Sequence, residues 1–140
     1  QMRCWRETDR DSDVVLAVVE APRLSWPAFC RDQADSKTII RTVVDSLIKE
    51  YSTDRVVLCA HSGGGAFVFA YLDAVEALPA SISRIVFLDA NYGYSDDRRH
   101  GDKLLAWMKG DVARRLIVTA YDDREIALNG KKVVGPDGGT

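Results

Sequence analysis

The chain has 140 residues, of which 46% are hydrophobic and 29% charged, and its net charge is −2. That length suits one domain with one core. The charge leaves no basic footprint for nucleic acid, and no apolar run reaches the roughly 20 residues that a membrane-spanning helix needs.

The chain opens on QMRCWR, with no signal-peptide pattern, and closes on the turn-rich KKVVGPDGGT. Both ends are expected to be cut, making residues 1–140 the interior of one domain and leaving the compartment open between cytoplasmic and secreted. The three cysteines, Cys4, Cys30 and Cys59, are widely spaced and odd in number. They fit neither a disulfide framework nor paired zinc ligands, and no clustered His, Cys or carboxylate set suggests a metal. Cys59, inside an apolar run, reads as a small core residue.

The first predicted strand is Val14–Val19. EAPRLSWPAF follows, a loop with Pro22 and Pro27 that brings Trp26 and Phe29 to the edge of the sheet as packing groups or substrate contacts. In SKTIIRTVVDSLIKEY the apolar residues Ile39, Ile40, Val43, Val44, Leu47, Ile48 and Tyr51 share one helical face. Ser36 or Asp35 is placed to cap this helix. The second strand is Val56–Cys59. From Ala66 to Leu78 the chain is apolar almost all round, which predicts a buried helix ended by Pro79. Strands at Ile85–Leu88 and Leu116–Thr119 bracket a shorter helix over residues 102–110, with Gly110 as its C′ residue. All four strands are continuous apolar runs, as in a parallel sheet buried on both faces. Strands alternating with helices predict an α/β fold of three layers, α/β/α, around a mainly parallel sheet.

Between the second strand and the buried helix lies Ala60-His61-Ser62-Gly63-Gly64-Gly65. In an open parallel sheet ligands bind beyond the carboxyl ends of the strands, and Ser62 stands at such an end. A sharp strand-to-helix turn would hold the serine in a strained conformation at the apex. It requires small residues two before and two after, here Ala60 and Gly64. The helix N-terminus adds backbone N–H groups suited to an oxyanion. The plainer reading is a flexible turn or a phosphate loop. The Lys-Ser/Thr of a Walker loop does not follow the glycines, and the dinucleotide pattern G-x-G-x-x-G is not matched.

These residues form a nucleophile elbow, and the chain around them resembles the α/β-hydrolase superfamily, with Ala60 in place of the first glycine of G-x-S-x-G. It is most similar to bacterial serine hydrolases that carry an HSGGG elbow followed by an LDANYGY-type segment. The resemblance implies a Ser62 nucleophile, a Gly63 N–H in the oxyanion hole, and the chain order serine, acid, histidine. It places the acid at Asp123, three residues beyond Ala120, with Asp122 as the near alternative; YDDRE also reads as an ordinary polar turn. Asp89, after strand 85–88, is a second candidate, and its plainer role is a hydrogen-bonding loop residue beside Asn91. Asn91, Tyr92 and Tyr94 are expected to line the pocket or to pack with their hydroxyls in water. Of the two histidines, His61 is the variable residue of the elbow. His100 precedes the acid and reads as a surface or helix-start residue. The base is therefore expected outside these residues, with His100 as an alternative. The implied activity is ester hydrolysis of a small-molecule substrate without a cofactor. Amide or peptide cleavage, and a non-catalytic binding protein of the same fold, are the competing readings. Nothing in the sequence indicates an oligomeric state.

Overall fold

The structure, a computed structural model, describes residues 3–8, 14–91, 93–120, 122 and 124–132. In chain order its elements are β1 (Arg3–Thr8), β2 (Val15–Glu20), α1 (Trp26–Asp32), α2 (Ser36–Tyr51), β3 (Val56–His61), α3 (Gly65–Ala74), β4 (Ile82–Leu88), α4 (His100–Lys109), β5 (Arg115–Thr119), β6 (Ala127–Leu128) and β7 (Lys131–Lys132).

The centre is a parallel sheet in the order β3-β4-β5. Its strands follow one another in sequence and in space, so two right-handed crossovers carry α3 and α4 over the same face. The predicted alternation of strand and helix therefore holds, and the class is α/β. His61 lies opposite Leu88, and Leu88 opposite Thr119, so the three carboxyl ends form one edge.

Strand alternation separates the two faces of this sheet. Ala60, Ile85 and Phe87 turn toward the helices and are buried. Val57, Leu88 and Ile117 turn the other way and are 49%, 39% and 44% exposed. Cys59, on that same side, is exposed and not the core residue its neighbours suggested. Among the described residues no helix covers this face, so two of the three expected layers are present.

The strand expected at Val14–Val19 does form, but outside this sheet. β2 pairs antiparallel with β1 in a separate two-stranded sheet, and Leu16 and Val18 are exposed. A continuous apolar run specifies extended chain that tolerates burial. It does not specify the partner, and here β1 supplies the hydrogen bonds.

The helices follow their apolar faces. In α2, Ile40 and Val44 are buried, and Ser52, at φ 46°, closes the helix by donating its N–H to the carbonyls of Ile48 and Lys49. Neither expected residue caps its start. The Asp35 carboxylate takes the Gln33 amide, and the Ser36 hydroxyl donates to the Cys30 carbonyl at 3.3 Å. The buried helix α3 ends at Ala74, short of Leu78, with Val75 extended. Lys103 Nζ donates to the carbonyls of Leu72 and Val75 at 2.7 and 2.8 Å and so satisfies that end. Leu78 precedes Pro79, and a residue before proline avoids helical angles. Trp107 of α4 fixes the lower end of the sheet by donating Nε1–H to the Ile82 carbonyl at 2.9 Å.

Besides β1, a helix and a hairpin exceed the sequence reading. The segment after β2 is helical as α1, where Ser25 Oγ accepts the Ala28 N–H at 3.3 Å and Pro27 stands in the first turn. Both are ordinary start signals. Near the far end, β6 and β7 form a hairpin through Asn129 and Gly130, at φ 52° and 75°. Among the described residues no helix is long and apolar enough to cross a membrane.

Candidate functional site

The elbow is built by the end of β3 and the start of α3. His61 is still extended, Ser62 has φ 48°, and a single 3-10 turn, Ser62–Gly64, leads into α3 at Gly65. A left-handed conformation costs a serine on the order of 1–3 kcal/mol and persists only where the surroundings impose it. Here the glycines show how. A Cβ on Gly64 would stand 3.6 Å from the Ala60 Cβ, the contact that the small-residue rule anticipates. A Cβ on Gly63 would meet the Pro27 ring at 3.3 Å. A Cβ on Gly65 would lie 1.7 Å from the Ala90 carbonyl oxygen, which no side chain survives. The third glycine is thus required by the chain leaving β4. Ser62 itself is exposed at the apex, and its hydroxyl bonds to no described residue.

Gly63 is in the first turn after the apex, where free N–H groups and the helix dipole favour negative charge. Trp26 and Phe29 stand beside this turn on α1. Trp26 meets Phe67 edge-on at 4.7 Å and Phe29 at 5.7 Å, so both pack in an aromatic cluster flanking the elbow.

Asp89 lies one strand over. It follows Leu88, which pairs with His61, and so adjoins Ser62 along the carboxyl edge. Its φ is 49°, and its N–H donates to the Thr119 carbonyl at 2.7 Å. Its Oδ1 is buried and meets no donor among the described residues, and Asn91 Oδ1 is in the same state. Buried acceptors are nearly always paired in folded proteins, so water or a bound ligand is the expected donor to these two. Asp122 is different: exposed, it accepts from Arg124 Nε at 2.8 Å and from Nη2 at 2.6 Å. These bonds hold its carboxyl at about 2. Asp123 and Tyr92 lie outside the described residues.

The histidines divide sharply. His61 is exposed and shares the open face with Val57 and Cys59. His100 opens α4 and is fully buried, not at the surface as its charged neighbours suggest. Its Nδ1 accepts the Ser95 N–H at 3.1 Å, so its proton is on Nε2, which donates to Asp73 Oδ1 at 2.8 Å. Neither ring nitrogen is left for Ser62. The Asp73 side chain, 5% exposed, also meets Lys37 Nζ at 3.0 Å and Arg98 Nη1 at 3.1 Å. Burial alone raises the Asp73 carboxyl, but the bonds from His100, Lys37 and Arg98 outweigh it and hold it below its ordinary value. Sequence reasoning missed this cluster, because Asp73 looked like one of two charges on an otherwise apolar helix. Among the described residues, no group of three or more His, Cys, Asp or Glu side chains is placed to hold a metal ion.

No family model matches the chain, and neither a curated protein nor a solved structure matches it.

Proposed function

We propose that this protein is a serine hydrolase of the α/β-hydrolase type, most simply a carboxylic-ester hydrolase, with Ser62 as its nucleophile. The observation that carries the reading is the positive φ of Ser62 at a strand-to-helix turn flanked by Ala60 and Gly64, where a Cβ on Gly64 would come into van der Waals contact with the Ala60 methyl. A serine is forced into that conformation only where the surrounding structure insists on it. In the reaction, Ser62 Oγ attacks the ester carbonyl as its proton passes to a base. The carbonyl oxygen gathers charge against the Gly63 N–H. The alkoxide then leaves with a proton, and water cleaves the acyl-serine to acid and free serine.

The base is an imidazole other than His100, whose nitrogens are both engaged. For the orienting acid, Asp123 keeps the chain order of the superfamily, while the orphaned Oδ1 of Asp89 favours Asp89. Asp122, clasped by Arg124, is the least suited of the three. The engagement of His100 also favours a second reading, a binding protein of this fold without turnover.

A fluorophosphonate probe decides between them. Serine hydrolysis predicts covalent labelling at Ser62, located by mass spectrometry of the modified peptide. Folded protein that stays unlabelled, or carries the label elsewhere, overturns the nucleophile assignment.

A further inference from the structure

Helix α3 carries Gly65, Phe69 and Asp73 at intervals of four residues, so the three share one stripe about 12 Å long. The segment from Asp89 to His100 lies along this stripe. Its first contact is the Ala90 carbonyl against Gly65. Next come Gly93, where a Cβ would stand 2.8 Å from Phe69 Cδ2, and the Tyr94 ring, edge-on to Phe69 at 6.2 Å. The His100 ring then stacks on Phe69 at 4.9 Å. The last contacts are those of Arg98 and His100 with the Asp73 carboxylate, at 3.1 and 2.8 Å. His100 also ties the segment to itself by accepting the Ser95 N–H and donating its own N–H to the Ser95 carbonyl.

Both ends of the segment are thus fixed on one helix, and that helix begins at the elbow. The end near Ser62 carries Asp89 and Asn91, the two residues with orphaned buried acceptors. The far end holds through one carboxylate, which accepts from Arg98 and His100 of the segment and from Lys37 of α2. The geometry points to Asp73 as a positioning residue: through Arg98 and His100 it sets how Asp89 and Asn91 stand beside Ser62. Its effect on the chemistry rests on the serine-hydrolase reading above, whereas its hold on the segment does not. Asp73 touches no substrate in this role. It fixes the angle at which the segment leaves β4, and near the reacting atoms small displacements carry large rate effects.

The test separates the two cationic donors that share Asp73 Oδ2. Arg98 and Lys37 are both more than half exposed, so replacing either leaves the core intact. In the intact protein, hydrogen–deuterium exchange over residues 93–99 reports the hold, and the rate of fluorophosphonate labelling at Ser62 reports the site. Arg98→Met and Asp73→Asn are expected to speed exchange about tenfold and to slow labelling by about fivefold or more, with circular dichroism unchanged. Arg98→Lys should bring both back to within about twofold of the unmodified protein, and Lys37→Met should leave both within that margin. The inference is overturned if Lys37→Met and Arg98→Met behave alike, because Asp73 then acts only as general support. It is overturned equally if Arg98→Met leaves exchange unchanged, or speeds exchange without slowing labelling. Failure of the unmodified protein to label at Ser62 sinks the hydrolase reading and, with it, the positioning role, while exchange still reports whether Asp73 holds the segment.

Discussion

At one end of the α3 stripe a single carboxylate, Asp73, meets three cationic or N–H donors. At the other end, beside Ser62, the carboxylate of Asp89 and the amide of Asn91 each bury an oxygen that meets no donor among the described residues. The first arrangement is how a fold stabilises itself, since a buried charge is tolerated when its lone pairs are filled. The second leaves capacity unspent, and it coincides with two non-glycine residues at positive φ, Ser62 and Asp89. Backbone strain does not divide the two ends, because Arg99, between the segment's two donors to Asp73, is also left-handed at φ 59°; what divides them, about 12 Å apart on the same helix, is filled against unfilled acceptors. That difference, more than the presence of any one residue, separates site from scaffold.

The largest effect should come from the unsatisfied end. Ser62→Ala is expected to cut esterase turnover by on the order of 10³-fold while leaving the urea midpoint nearly unmoved. A large fall in stability without loss of turnover would reverse the roles assigned to the two ends. Asp73→Ala should act mainly on stability, lowering unfolding free energy by about 3 kcal/mol because it strands His100 Nε2–H in the core, with a far smaller loss of reactivity than Ser62→Ala. Denaturant titration measures this, and a loss under about 1 kcal/mol would mean the cluster is weaker than its geometry.

The glycines sharpen the same contrast. Gly65→Ala should cost about 2 kcal/mol or more, since its Cβ would collide with backbone that cannot step aside. Gly64→Ala, with ordinary contact distance to Ala60, should cost no more than about 1 kcal/mol. Equal costs for the two would show that the Ala90 contact relaxes easily. Asp89→Gly should be neutral or raise stability by up to about 1 kcal/mol, because it removes an orphaned carboxylate and relieves the positive φ. A marked loss there would reveal a partner for Asp89 in solution.

The smallest effect concerns acid. The Asp73 carboxyl is lowered, so its contribution is present above the ordinary carboxylate range and is lost as pH falls through the lowered value. Stability measured from about pH 6 down to about pH 2 should therefore fall less steeply in Asp73→Asn than in the unmodified protein. Asp122, also lowered, is common to both proteins and cancels from the difference. Identical slopes would remove Asp73 from the acid response.

The strand-to-helix turn at Ser62 was legible because its requirement is local and steric: a serine between small residues, a strand before it and an apolar helix after it. The α2 helix was legible for the same reason, through the spacing of Ile40, Val44 and their neighbours. The pairing of β2 was not, since its apolar run is compatible with any strand partner. His100 does start a helix, one of the two roles read for it, but its burial was missed because RRHGDK carries no apolar residue; its ring stacks on Phe69 and its Nε2–H is met by Asp73, 27 residues away. The helix α1 and the hairpin at Asn129 and Gly130 were legible and passed over, although Ser25 with Pro27 and the Asn-Gly pair are recognised signals. For the acid, the superfamily resemblance pointed to Asp123, which lies outside the described residues. Asp89 was in view only as the second candidate, and what the three-dimensional arrangement adds is its buried Oδ1, because an unpartnered oxygen leaves no trace in sequence.

The open side of the sheet has a practical consequence. Cys59 presents its thiol there, in the middle of an edge strand, while Cys30 is partly buried. Burial, followed by the nearby Asp73 charge and against the pull of Lys37, pushes the Cys30 thiol up and keeps it in its unreactive form. Between these two thiols, air or a mild oxidant should therefore join molecules through Cys59, back to back across their uncovered sheets. Maleimide dyes should mark the same sulfur first, making its alkylation rate a gauge of whether anything shelters that side of the protein in solution.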